Sequence, residues 1–311
     1  MRLLTDAEVR SFADPVMAGE AVSDAFAEAA RGETALLARQ RISAAGLKLS
    51  AMSAILPGEG VAGAKVYTTI DGAFRFVVLL FDAASGAPLA VLEADALTEI
   101  RTAAVTEVVA ARASPGQGGK IAVFGTGVQA RAHVRALARR LRPEEVAIVS
   151  RGEAGALAAD LSDETGVVVM QANPGDAVRG ARVVVTATRS SAPLFDGRLL
   201  DGGCFVAAVG STLPHARELD DATMGRAARV LVEDRGQALA EAGDLGLALE
   251  SGALGQERIR DLASYLSGGP DGSEARSEGG GRDVTVFKSV GIALEDVAVA
   301  ARIWRRAEEV G

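Results

Sequence analysis

The chain has 311 residues, 49% hydrophobic and 24% charged, which is enough apolar material for a large core and for roughly two domains. Its formal net charge of −8 argues against a general binder of nucleic acid or of anionic membranes. The single cysteine, Cys204, excludes an internal disulfide, and a reducing, cytoplasmic home fits.

The N-terminus reaches Asp6 and Glu8 before any long apolar stretch, so no signal peptide is expected. No run of about 18 apolar residues occurs, so no membrane span is expected either. Residues 5 to 40 read as helices, with Thr5 or Asp6 capping the first and Pro15 and Gly32 as punctuation. Residues 41 to 93 change character and read as an antiparallel meander. Ala64 to Ile70 is β-prone, Phe74 to Phe81 is strongly apolar, and Asp71-Gly72 between them is a hairpin signal. Taken alone, Lys65 reads as a solvent-facing residue of its strand. A helix follows from Leu97 to about Ala113. With Thr98 as its N-cap, Arg101 falls in the first turn, where a cation opposes the helix dipole. Either a bound anion or an ordinary salt bridge would explain an arginine there.

Ser114 to Gly119 is turn-rich and marks a domain boundary. Beyond it strands and helices alternate. Strands are expected at 121–124, 145–149, 167–170, 181–188, 204–210, 228–232 and 284–288. Helices are expected at 153–164, 174–179 and 222–226, and over 235–266 with an interruption at 241–244. Residues 267 to 283 read as a mobile surface loop, and Ala293 to Arg306 as a final amphipathic helix that packs back on the N-terminal domain. Asp296 sits early in that helix, favourably for its dipole. The alternation argues an α/β fold class with a doubly wound parallel sheet.

The sharpest local signal is Lys120 to Ala130. An apolar strand, Gly125-Thr126-Gly127 and a helix from Val128 give a G-x-G-x-x-A match in its proper context. Gly125 makes the tight turn, Gly127 lets a pyrophosphate approach, and Ala130 allows close helix–strand packing. The phosphates would rest on the helix N-terminus. The next strand ends Val149-Ser150-Arg151, with no carboxylate to meet a ribose 2′-hydroxyl. Ser150 and Arg151 can instead bind a 2′-phosphate, so NADP(H) is favoured over NAD(H). Glu153 is the nearest acid. Cys204 reads as a buried strand residue, Glu233-Asp234 as a solvated strand end, and His133 as a residue at the surface of the helix after the glycine turn or under the sheet. His215 lies in a loop near the expected cleft. No residue cluster has metal-ligand spacing.

Taken together, Lys65 in its strand, Leu97 to Ala104 with Arg101-Thr102-Ala103-Ala104, Gly125 to Ala130, Val209-Gly210-Ser211 with Arg217 to Asp220, and Val286 to Gly291 form a recognisable series. The chain resembles the ornithine cyclodeaminase/mu-crystallin family along nearly its full length. That resemblance implies a Rossmann NAD(P)-binding domain, residues 115–287, plus a discontinuous α+β substrate and dimerisation domain, residues 1–114 completed by 288–311, with a homodimer joined through N-terminal sheets and a small imino- or amino-acid substrate. It also implies an activity among ornithine cyclodeaminase, alanine dehydrogenase and the reductases of ketimines and cyclic imines. It places the substrate carboxylate on Arg41, Lys65 and Arg101, with Arg41 placed by spacing alone. Lys65 and Arg101 become the catalytic pair, Lys65 the proton donor, its pKa lowered by the two arginines. Thr212 and Val290 join the substrate side, and Met52, Tyr67 and residues 212 to 216 line the pocket. The cofactor set is Gly125, Thr126, Gly127, Val128, Gln129, Ser150, Arg151, Thr186, Ala187, Thr188, Val209, Gly210, Ser211 and Ser289. Ornithine cyclodeaminases carry a catalytic aspartate where Thr212 stands, and threonine cannot serve as a base near neutral pH. The resemblance therefore points to the reductase branch.

Overall fold

A computed structural model describes residues 1–114, 116–268 and 283–310. In chain order the elements are β1 (Arg2–Leu4), α1 (Asp6–Phe12), α2 (Pro15–Ala30), β2 (Ala35–Ala44), β3 (Leu47–Leu56), β4 (Val61–Ile70), β5 (Ala73–Asp82), β6 (Pro88–Glu93) and α3 (Asp95–Ala113). There follow β7 (Lys120–Phe124), α4 (Val128–Leu141), β8 (Glu145–Val149), α5 (Gly155–Thr165), β9 (Val168–Gln171), α6 (Pro174–Val178), β10 (Ala181–Thr186) and β11 (Phe205–Ala208). The chain continues with α7 (Asp221–Arg226), β12 (Ala227–Val232), α8 (Arg235–Glu241), α9 (Gly243–Glu250), β13 (Ile259–Asp261), α10 (Leu262–Leu266), β14 (Val284–Lys288) and α11 (Ala293–Val310). Two compact units result: Met1–Val105 with Gly291–Gly311, and Thr106–Val290. The first division falls inside α3 rather than at the turn-rich stretch after it, because the helix hydrogen bonding runs on to Ser114, whose N–H donates to the Ala110 carbonyl. Most of the glycine-rich stretch expected as a mobile loop, 269–282, lies outside the described residues.

The first unit is a six-stranded sheet in the order β1-β6-β5-β4-β3-β2, antiparallel except for the parallel pair β1/β6. Turn chemistry sets its register. Ala45-Gly46 and Asp71-Gly72 both take positive φ, the mirror-image turn that matches strand twist. Thr5 and Glu8 form a capping box on α1, and Asp14 caps α2 with Pro15 at its first position. Helix α11 packs on α2, β3 and β4. The segment 35–40, expected to be helical, is instead the start of β2. Gly32 at φ +72° stops α2, and pairing with β3 overrides the helix propensity of an alanine- and leucine-rich stretch. Period 2 then sorts the sheet into faces. Met52, Lys65 and Val78 form one cross-strand row, and Ser50, Tyr67 and Phe76 the next on the same face.

The second unit is an eight-stranded sheet, wholly parallel, in the order β13-β12-β14-β11-β10-β7-β8-β9. Its strands are near-continuous apolar runs, as sheets covered on both faces require. From β7 the chain winds out to β9, then returns to β10 on the other side of β7. That reversal is a topological switch point, the place where open α/β sheets bind ligands. The interruption expected at 241–244 separates α8 from α9, while the rest of the stretch to 266, expected as helix, also holds β13 before α10. Asp234 caps α8, and Gly243 starts α9 in a place where any Cβ would strike the Ala216 and Leu213 carbonyls.

Candidate active site

In the first unit a buried ionic cluster gathers around Lys65. Its side chain is 1% exposed, not solvent-facing. Lys65 Nζ donates to Thr98 Oγ1 at 2.6 Å and to Asp296 Oδ1 at 2.7 Å, and it stands 4.5 Å from the centroid of the Phe76 ring. Thr98 Oγ1 spends its own proton on the Ala94 carbonyl, so it must accept from the lysine. Thr98 is therefore an interior residue of α3, not its cap. The helix begins at Asp95, which puts Arg101 in the second turn. Arg101 is countered by two acids of α11, with Nη1 2.5 Å from Glu295 Oε2 and Nε 3.0 Å from Asp296 Oδ1. The dipole argument for a ligand at Arg101 thus lapses, and ion pairing with Glu295 and Asp296 replaces it. Gly291, at φ +71°, leaves room for this guanidinium, since a Cβ there would lie 2.8 Å from its nitrogens.

Burial lowers the Lys65 pKa to about 8. Asp296 opposes that shift, while Arg101 and Arg39 add to it by like-charge repulsion. Desolvation, rather than the arginines, is the main cause. Among charges so deeply buried, removing one partner of a pair typically costs about 3–5 kcal/mol.

The arginine of β2 acting on Lys65 is Arg39. A register shift between Leu37 and Gln40 accompanies its turn toward the cluster, where Nη2 donates to the Gly291 carbonyl at 2.7 Å and contacts Met52 Sδ at 3.6 Å. Arg41 lies two residues on, in the row of Ser50, Tyr67 and Phe76, and its side chain is exposed. Arg41 is placed by motif spacing alone; Arg39 stands two residues before it, with the same strand parity, and is the one whose charge acts on Lys65. Met52 and Tyr67 are buried on the same face, Tyr67 with its ring 5.1 Å from that of Phe76.

In the second unit the glycine turn has the backbone a pyrophosphate needs. Gly125 sits at φ +119°, its N–H donates to the Val149 carbonyl at 2.9 Å, and a Cβ would lie 2.6 Å from the Ala187 carbonyl oxygen. Gly127 is the extended N-cap of α4, and a Cβ built there meets nothing within 4 Å. The approach to the helix N-terminus is open, so the segment fits a dinucleotide phosphate cradle. Ala130 is buried, while Val128 is exposed and Thr126 and Gln129 are half-buried. His133 is wholly buried on α4, not at its surface. Nδ1 faces the Gln129 carbonyl at 2.7 Å and must donate to it, so Nε2 accepts from Thr106 Oγ1 at 2.9 Å. Burial drives its pKa down to about 4, leaving the ring neutral and structural. At the end of β8, Ser150 donates to the Gly152 carbonyl and Arg151 is exposed.

The remaining expected residues lie at other strand ends of this unit. Thr186, Thr188, Gly210 and Ser211 all converge on one carboxylate, Glu218, while Ala187 and Val209 are half-buried beside them. Ser289 Oγ and the Val290 N–H both donate to Glu233, which is buried and not a solvated strand end. Thr212 is half-buried and His215 exposed. Cys204 is buried just before β11, and desolvation raises its pKa well above the ordinary thiol value, so it is no nucleophile. Among the described residues no group of three potential metal ligands occurs, and no helix is long and apolar enough to cross a membrane.

Glu295 escaped sequence reading, and Asp296 was read only as favourable to its helix dipole, because each lies some two hundred residues from its cation. The usable signal was two adjacent carboxylates on a helix face that is otherwise apolar. The buried trio Glu218, Asp244 and Lys288 was missed likewise.

The ornithine cyclodeaminase/mu-crystallin family model matches residues 1–311. A Delta(1)-pyrroline-2-carboxylate reductase of Bacillus cereus is 34% identical over 247 residues, spanning 78% of this chain and 73% of the relative. A probable ornithine cyclodeaminase from Bordetella pertussis superposes with a TM-score of 0.94 at 41% identity, over 100% of this chain and 98% of the other. An archaeal alanine dehydrogenase dimer with bound NAD superposes with a TM-score of 0.89 at 26% identity, over 100% and 97%. Fold, glycine turn and full-length match agree: the chain belongs to the ornithine cyclodeaminase/mu-crystallin family.

Proposed function

We propose that the protein is an NAD(P)H-dependent reductase of α-imino acids. The observation that carries this reading is the buried Lys65, held by Thr98 and Asp296 next to Arg101 and with a pKa brought down near neutrality. An α-imino acid presents a carboxylate beside a C=N bond. Arg101 and Arg39 supply planar donors for the carboxylate. Arg39 takes the role first given to Arg41. Lys65 Nζ gives its proton to the substrate nitrogen as the C=N bond is reduced to CH–NH, and takes one back in the reverse oxidation. When bound, the reduced nicotinamide supplies the hydride. Gly125 to Gln129 hold the pyrophosphate, and Thr188, Gly210, Ser211 and Ser289 shape the nicotinamide end. Ser150 and Arg151, with no carboxylate at the end of β8, support NADP(H) over NAD(H). Thr212 and Val290 belong to the substrate side.

The test is a screen of cyclic and linear imino acids, made in situ from keto acids and amines, with NADPH and NADH oxidation followed in parallel. Delta(1)-pyrroline-2-carboxylate, the substrate in the Bacillus relative's name, is the first to try. The Bordetella structure motivates a second reading, an ammonia lyase acting on ornithine with recycled cofactor. Thr212 stands where that chemistry needs a base. Ammonia released from ornithine with catalytic nucleotide would favour the lyase.

A homodimer is part of this proposal. The sheet face opposite the Lys65 row exposes Ile42, Leu49, Ile55, Ile70, Val77 and Phe81, an apolar surface of the kind subunits cover. Sedimentation equilibrium giving a monomer mass would remove it.

A further inference from the structure

We infer that Glu218 is a positioning residue for the nicotinamide half of the cofactor, an inference that rests on the nucleotide reading of the second unit. Glu218 is completely buried in the segment between β11 and α7. Its Oε1 accepts from the Thr188 N–H at 2.8 Å and from Thr188 Oγ1 at 2.6 Å. Its Oε2 accepts from Thr186 Oγ1 at 2.9 Å, the Gly210 N–H at 2.9 Å and the Ser211 N–H at 3.3 Å. One side chain thus ties the chain leaving β10 to the chain leaving β11. The fit leaves no slack at Gly210, where a Cβ would lie 2.3 Å from the Thr188 carbonyl oxygen and 2.5 Å from Glu218 Oε1.

A second layer holds Glu218 itself. The N–H groups of Glu218 and Leu219 donate to Asp244 Oδ1 at 2.8 and 2.9 Å. Asp244 Oδ2 lies 3.0 Å from Lys288 Nζ at the end of β14, with both side chains wholly buried. Lys288 Nζ donates to the Ser211 carbonyl at 2.6 Å and to the Ala208 carbonyl at 3.2 Å. The network closes on Ser211, whose N–H goes to Glu218 and whose carbonyl goes to Lys288.

Location gives this network its function. A dinucleotide lies across the C-terminal ends of the strands at the switch point. The glycine turn after β7 takes the pyrophosphate, so one half of the molecule runs over β8 and the other over β10 and β11. Glu218 sets the backbone of the second half. Each carboxylate oxygen meets a main-chain N–H, which cannot turn round to accept, so both positions call for an acceptor. Glutamine at this place keeps the volume but sets an NH2 group against those N–H groups.

The experiment titrates wild type and Glu218→Gln by calorimetry with two ligands: NADPH, and 2′-phospho-ADP-ribose, which has the adenosine and both bridging phosphates but no nicotinamide. Glu218→Gln should weaken NADPH by about tenfold or more, the loss of a charge-assisted network. The nicotinamide-free ligand should change less than about twofold. Thr188→Val, which removes one hydroxyl donor, should weaken NADPH by about threefold with the same selectivity, and it carries the test if Glu218→Gln does not fold. Equal weakening of both ligands would make Glu218 a general structural residue and overturn the inference, as would unchanged NADPH affinity in either variant. If wild type binds neither ligand, the titrations are run with NADH and ADP-ribose, and if those fail to bind as well the nucleotide reading itself fails, a result distinct from both of those.

Discussion

The two candidate sites are built from opposite materials. Around Lys65 the first unit uses charged side chains, with Lys65, Arg101, Asp296 and Glu295 all buried and paired. At Gly125 to Val128 the second unit uses main chain, a positive φ, a helix N-terminus and the absence of side chains. The contrast teaches where each site is fragile. A side-chain site fails when a functional group is removed, whereas a main-chain site fails when atoms are added.

Lys65→Met tests the first half most severely. It removes the proton donor and leaves Asp296 with Arg101 alone, and kcat for imine reduction should fall by about 10²–10⁴, read by steady-state NADPH oxidation. A fully active Lys65→Met enzyme would falsify the role given to that amine. Gly125→Ala adds a single methyl where it would lie 2.6 Å from the Ala187 oxygen, at a φ that alanine avoids. Nucleotide affinity should drop by at least about 100-fold in a calorimetric titration, with a melting temperature several degrees lower. An equally large loss from Val128→Ala, an exposed side chain, would break the claim that main chain does the holding.

Within the charged half the arginines should separate. Arg39→Ala should raise the Michaelis constant by about 30-fold, whereas Arg41→Ala should change it by less than about threefold. The reverse ranking would restore the assignment made from spacing.

The gentlest probe is pH. Lys65 gives up its proton near pH 8, and reduction needs the protonated form, so its rate should fall by about tenfold per unit above that point. The reverse oxidation should instead rise through about 8 and level off. Unfolding through Lys65 would not mimic the first result. Its folded value lies below the ordinary lysine value of 10.5, so between the two the unfolded chain binds more protons and this group favours folding as pH rises. A reduction rate flat from pH 7 to 10 would remove the amine from the rate-limiting proton transfer.

Legibility followed the same division. The glycine turn could be read directly, because strand, G-x-G-x-x-A and helix are local and the steric need for Gly125 is local too. The hairpin at Asp71-Gly72 and the parallel strands were visible for that reason. Lys65 was visible as a residue but not as a buried one, since burial depends on α11 arriving on β4. The first turn of β2 was misread because its alanine and leucine residues favour helix locally, and its true state depends on pairing with β3. Arg39 was hidden because spacing alone does not separate two arginines that stand two residues apart on one strand. Glu218 was visible only as part of a motif and Glu233 as a strand end, because their partners are groups at distant strand ends, which no composition reveals.

Helix α11 supplies the counter-charges to a sheet synthesised long before it. At about 5–20 residues per second, the intervening segment 106–290 takes on the order of ten seconds or more to make. Throughout that interval the nascent N-terminal segment carries Lys65 of β4 and Arg101 of α3 without Glu295 and Asp296. Unpaired cations resist dehydration, so this half is expected to seal only once α11 is made. Maturation of this half is therefore post-poned by the gene's own layout, and slow codons within the middle segment would lengthen its exposure to chaperones and proteases.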